Sequence, residues 1–291
     1  MGSGIDSLRE LYDARRLEEA WREYEQLRQI GPVEAEGHLL GALAARRKGD
    51  LRGARTAFER GLDLAPTGRV LGQLRMTYGA TLREIGDTSA AIEMLELFLA
   101  DMDLYPELRP VANGAGHHNL ALAYRTARRF DEARQAYETA ILDFRAENLL
   151  NYLAWSCLNL AWLCCLMGDA ERAEDALAEA EGVCDTEELR WHLQIGIAFL
   201  EATTARPTDA IERCEGIVKK AESAPPEVVS HAYWLSGRIA LAAGQMDAAE
   251  GLAGQAVDWA IRAKHDVRPL QDASELRREI HKAKVEKQRG A

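Results

Sequence analysis

The chain has 291 residues, 36 basic against 47 acidic side chains, a formal net charge of −11 and 47% hydrophobic residues. That balance excludes a disordered chain, which lacks the apolar content to offset the cost of ordering, and a dedicated nucleic-acid binder, which needs clustered Lys and Arg. No unbroken run of 18 apolar residues exists, so no membrane-spanning helix is expected, and the N-terminal residues lack the apolar stretch of a secretory leader. Forty-eight alanines stand against 22 valines and isoleucines, which favours helix over strand, so an all-α chain is expected. Five cysteines without a CxxC pair read as reduced, mostly buried thiols in a cytoplasmic setting.

In chain order, helical segments alternate with turns. The first hairpin, about residues 1–33, closes with LEEAWREYEQL from Leu17. The second (34–67) turns at Gly49-Asp50 and the third (68–105) at Gly86-Asp87. The segment DMDLYPELRPVANGAG (101–116) is expected to supply extra loop and helix length before the fourth (106–147), which turns into FDEARQAY after Arg128-Arg129. The fifth (148–186) turns at Gly168-Asp169. The sixth (187–224) turns at ARPTDA, where Pro207 opens a helix at the position that needs no N–H. The seventh (225–266) turns at AGQMDAAEGLA from Ala243, and a charged helix, about 268–288, follows as a cap.

One alanine anchors each second helix: Ala20, Ala54, Ala91, Ala133, Ala173, Ala210 and Ala249, at intervals of 34, 37, 42, 40, 37 and 39 residues. Such a period signals stacked helix pairs. Around Ala133 the pattern is fullest, with Leu120, Ala121 and Tyr124 before the turn and Phe130, Ala133, Tyr137 and Ala140 after it. Ala54, Phe58, Gly61 and Pro66 repeat its second half. On these residues the chain resembles the tetratricopeptide repeat (TPR) family over nearly its full length. The resemblance implies one array over 1–291, a right-handed superhelical solenoid of about seven helix hairpins with a C-terminal capping helix. Small residues at Gly79, Ala121, Ala161, Ala198 and Gly237 would let paired helices approach closely. The long repeats resemble the regulatory TPR domains of bacterial peptide-sensing and signal-transduction proteins.

No catalytic, metal or cofactor site is expected. Adjacent His117 and His118 point about 100° apart on a helix and cannot chelate as an i, i+4 pair. The sequence has no HExxH, GxxxxGK[ST] or GxSxG. Cys157, Cys164 and Cys165 fall on an apolar helix and read as core thiols. The run from Gly168 to Glu188 carries nine acids and one Arg and reads as a solvated convex face, with docking of a basic partner as the alternative.

In the resembled family the first helix of each pair lines a concave groove. Counting back from the anchors places Arg83, His118, Asn119, Arg125, Trp155, Asn159, Trp162, Trp234 and Arg238 on that wall. Asn119 and Asn159 occupy equivalent positions, and a carboxamide can pair with any peptide bond. TPR proteins that bind extended peptides use Asn at this position. Aromatic and Arg side chains suit recognition surfaces. The Lys residues of the chaperone-tail carboxylate clamp are missing at the matching positions. The expected function is a non-catalytic scaffold that binds a protein or extended peptide segment in the groove, without direct nucleic-acid or membrane contact. The alternative is a ligand-sensing module that controls a partner transcription factor or enzyme.

Overall fold

The computed structural model describes residues 2–65, 67–104, 106–263 and 268–289. Among them every regular element is helical, with fifteen α-helices and no strand. The chain forms two compact units that meet between Asn148 and Leu149.

The first unit holds α1 (Gly2–Asp13), α2 (Leu17–Ile30), α3 (Ala35–Lys48), α4 (Leu51–Leu64), α5 (Gly68–Ile85), α6 (Thr88–Ala100), α7 (Arg109–Thr126) and α8 (Phe130–Ala146). Each odd-numbered helix packs on the even-numbered helix that follows it and on the next odd-numbered one. The second helices bring the large rings of the core, where Tyr24, Phe58, Phe98, Tyr137 and Phe144 are all less than 2% exposed, and the first helices add Leu8, Leu74 and Leu82. Burying such a ring contributes about 1.5–3 kcal/mol. Two short 3-10 turns, Met102–Leu104 and Pro106–Leu108, link α6 to α7. The segment 109–116, expected as mixed loop and helix, forms the start of α7 despite its two glycines. Those glycines are required by packing: Gly114 lies under the ring of Phe144 on α8, and Gly116 under Phe98 on α6.

The second unit holds α9 (Leu150–Met167), α10 (Ala170–Val183), α11 (Glu187–Thr203), α12 (Pro207–Val218), α13 (Pro226–Ala242), α14 (Met246–Arg262) and α15 (Arg268–Arg289). The same neighbour pattern runs through it, and α15 packs on both α13 and α14 as a further first helix would. Ala273, Leu276 and Ile280 are the buried stripe of α15, at the i, i+3, i+7 spacing of one helix face. One helix among the described residues, α9, is long and apolar enough to cross a membrane. Its apolarity is that of a core helix packed against α10 and α11, and most of it is buried.

The hairpin turns share one geometry. All seven anchor alanines are fully buried, and the residue five before each has positive φ: Arg15, Gly49, Gly86, Arg128, Gly168, Ala205 and Gly244. At Gly49 the left-handed residue lets its own N–H reach Arg46 O (3.0 Å) and that of Asp50 reach Ala45 O (2.9 Å), which satisfies carbonyls at the end of α3. The following Asp then caps the next helix, its side chain accepting from Gly53 N at 2.9 Å. Asp87 and Asp169 cap α6 and α10 in the same way. Where Ala205 replaces the glycine, the chain keeps the turn at φ 60°, a conformation that costs an L-residue about 1–2 kcal/mol.

Candidate partner-binding faces

Four predicted site residues lie in the first unit. Arg83 on α5 and Arg125 on α7 are 8% and 9% exposed, and neither is without a partner within the chain. The expectation of open guanidinium groups is therefore corrected: both side chains are buried. An analogous arginine shows such a partner directly. Arg46 on α3 makes a bidentate contact with Glu84 on α5, at 2.9 and 2.6 Å. His118 is half-buried, with its ring edge-on to Tyr137 at 5.7 Å. Asn119 donates from Nδ2 to the carbonyl of Ala115 at 2.9 Å. Its neighbour His117 turns the other way, with Nδ1 3.1 Å from Asn113 O and 3.7 Å from Asp143.

The other five lie in the second unit. Asn159 donates from Nδ2 to Trp155 O at 2.8 Å, repeating the arrangement of Asn119. Trp155 is half-buried and meets the imidazole of His192 at 4.6 Å. Trp162 and Trp234 are 7% and 3% exposed. Trp162 on α9 packs against Phe199 on α11 (4.7 Å) and against His231 (4.5 Å) and Trp234 (5.6 Å) on α13. Phe199 meets Trp234 edge-on at 5.4 Å. Such ring pairs add about 0.5–1.5 kcal/mol each beyond their buried area. These two tryptophans thus hold three first helices together instead of standing open. Arg238 is exposed, with its guanidinium 5.4 Å from the Trp234 ring centre.

Several groups outside the predicted site lie beside these. Glu188 and His192 on α11 and Glu227 on α13 converge, with ligand atoms within 4.8 Å of one another. His192 Nε2 lies 3.6 Å from Glu227 Oε1. His231 Nε2 lies 3.5 Å from Asp272 on α15. The four-residue spacing of Glu188 and His192 was visible in the sequence, but their approach to α13 was not. A separate cleft of about 720 Å³ opens between α11 and α12, lined by Trp191, Gln194, Arg213 and Lys220 among others. Its floor is a closed network, in which Arg213 donates to both oxygens of buried Glu201 (3.0 and 2.7 Å) and to Gln194 Oε1 (2.6 Å). The thiols are poorly suited to nucleophilic chemistry: burial pushes Cys165 and Cys214 up to about 12.

The helix-hairpin architecture and the turn register define a repeat solenoid. A family profile described as tetratricopeptide repeat matches residues 114–185. Solved structures agree over much more of the chain. A tetratricopeptide repeat protein from Parabacteroides merdae aligns with a TM-score of 0.67 at 15% identity, covering 94% of this chain and 98% of that one. A Rap protein complexed with Competence and Sporulation Factor aligns at 0.59 and 14% identity, covering 97% and 74%. Pseudomonas aeruginosa pilF aligns at 0.59 and 14%, covering 76% and 92%. Among curated proteins no sequence matches. Residues 114–185 thus carry the tetratricopeptide-repeat pattern, and the chain has the fold of tetratricopeptide-repeat solenoids. That fold serves in general as a scaffold for protein–protein interaction.

Proposed function

We propose that this protein is a non-catalytic scaffold that binds an extended segment of a partner protein along its first-helix faces. The reading rests on one observation. Asn119 on α7 and Asn159 on α9 stand at equivalent repeat positions, and each carboxamide is fixed by its own Nδ2–H donating to the carbonyl four residues earlier. The bond orients each amide on a rigid helix; half-buried Asn119 can offer its carbonyl oxygen to a partner backbone N–H, while Asn159 is buried and orders the wall beside it. Trp155 and Arg238 supply accessible apolar and cationic contacts in the second unit. The net charge of −11 suits a partner with basic side chains rather than a nucleic acid. Five cysteines, four of them buried and none in a disulfide, suit a reducing, intracellular setting.

Site-specific photo-crosslinking tests the face. A crosslinking residue replaces Gln73 on α5 or Arg238 on α13, and Glu174 on the second helix α10 serves as control. Adducts to the same partner from the first-helix positions support the proposal. Adducts from Glu174 alone would place binding on the outer helices and overturn it. With the partner in hand, Asn119→Ala and Asn159→Ala together should weaken binding about tenfold, from ~0.5–1.5 kcal/mol per lost hydrogen bond, at nearly unchanged melting temperature. A large fall in melting temperature would assign both amides to the fold instead.

A further inference from the structure

We infer that Glu188, His192 and Glu227 form a binding site for a divalent transition-metal ion, Zn2+ foremost, that ties α11 to α13 within the second unit. Glu188 and His192 are four residues apart and share one face of α11. Glu227, in the first turn of α13, comes to the same point because α11 packs against α13. One nitrogen and two carboxylate oxygens thus lie within 4.8 Å of one another. Donors on a tetrahedral zinc stand roughly 3.3 Å apart, as bonds of about 2.0–2.1 Å require. His192 Nε2 and Glu227 Oε1, at 3.6 Å, are near that spacing already. Glu188 is exposed, so its side chain can rotate to complete the set, with solvent as fourth ligand.

The first turns of α11 and α13 account for two glutamates by themselves, since the positive helix end favours carboxylates. They do not account for the histidine. His192 Nε2 is buried without a hydrogen-bond partner, and its distance to Glu227 is too long for one. A metal ion held by the two carboxylates satisfies that nitrogen. The ring of Trp155, 4.6 Å from the imidazole, holds the ligand in place from α9. A mixed nitrogen and oxygen set favours zinc, cobalt or nickel over calcium or magnesium, which prefer oxygen alone.

The test uses full-length protein stripped with a chelator, then titrated with Zn2+ by calorimetry and with Co2+ by tryptophan fluorescence. One equivalent should bind, Co2+ should quench Trp155, and the melting temperature should rise with Zn2+ as linkage demands. Glu188→Gln and Glu227→Gln each keep side-chain size and should weaken binding about tenfold or more. His192→Ala should abolish stoichiometric binding. His231→Gln and Cys184→Ser, which alter other candidate ligands in the unit, should leave affinity unchanged. Absence of stoichiometric binding overturns the inference. So does affinity that ignores the two glutamine variants, or that falls with His231 or Cys184, since the ion would then sit elsewhere.

Discussion

Glycine at position 114 allows a direct test of the packing, because the same substitution should have opposite signs at two helical sites. A Cβ built on Gly114 stands 2.7, 2.8 and 3.0 Å from Cε1, Cδ1 and Cζ of Phe144. Ordinary contact begins at 3.4 Å, so the ring must withdraw by about 0.7 Å in an interior packed as densely as a molecular crystal. Phe144 is 1% exposed and has no solvent side to move into. Overpacking of this kind costs about 1–3 kcal/mol, offset by about 1 kcal/mol of helix propensity gained from Gly to Ala. Gly114→Ala should therefore lose up to about 2 kcal/mol and lower the melting temperature by up to roughly 8 °C. Gly251 on α14 is exposed with nothing within 4 Å of its Cβ position. Gly251→Ala should then gain up to ~1 kcal/mol and raise the melting temperature by roughly 2–4 °C. Thermal melts by far-UV circular dichroism decide the matter. A stabilised Gly114→Ala variant would refute the close approach of α7 to the Phe144 ring, and with it the helical reading of 109–116.

Three further outcomes are expected. Ala205→Gly should stabilise by about 1 kcal/mol, since glycine adopts the left-handed turn freely, whereas Gly168→Ala should destabilise by a similar amount; chemical denaturation measures both, and equal signs would contradict the shared turn geometry. Cys184 is half-buried and the other four cysteines are buried, so a thiol reagent should modify one thiol in the folded protein and the rest only on unfolding; two or more reacting in the native state would falsify the burial. His38, hydrogen-bonded to Tyr24 at 2.7 Å, is held below its usual pKa chiefly by burial and then by the charges of Arg60 and Arg28. The unfolded chain takes up a proton near pH 6.5 that the native ring refuses, so this contribution is fully present above about pH 6.5 and is lost as pH falls toward the folded value. The denaturation midpoint should drop between about pH 7.5 and 5.5, and His38→Gln should flatten that slope; an identical slope in the variant would remove His38 as its source.

The parts of this protein legible in the sequence are those that depend on neighbours within one hairpin. Each anchor alanine is fully buried, and each turn places a left-handed residue five positions before it, because helix period and turn chemistry act over a few residues. Even Arg128 and Ala205, which lack glycine's freedom, keep that geometry. Asn119 and Asn159 share one local hydrogen bond because their repeat positions match. What the wall exposes was decided by contacts between hairpins. Trp162 reaches from α9 past α11 to His231 and Trp234 on α13, so rings expected in an open groove became core. Arg83 and Arg125 were drawn into the packing for the same reason. Glu188 and His192 were readable as one helix face, but Glu227 joins them only through the stacking of α13 on α11. The rotation between successive repeats determines which side chains of different hairpins meet, and it is the sum of many packing contacts that no local periodicity encodes.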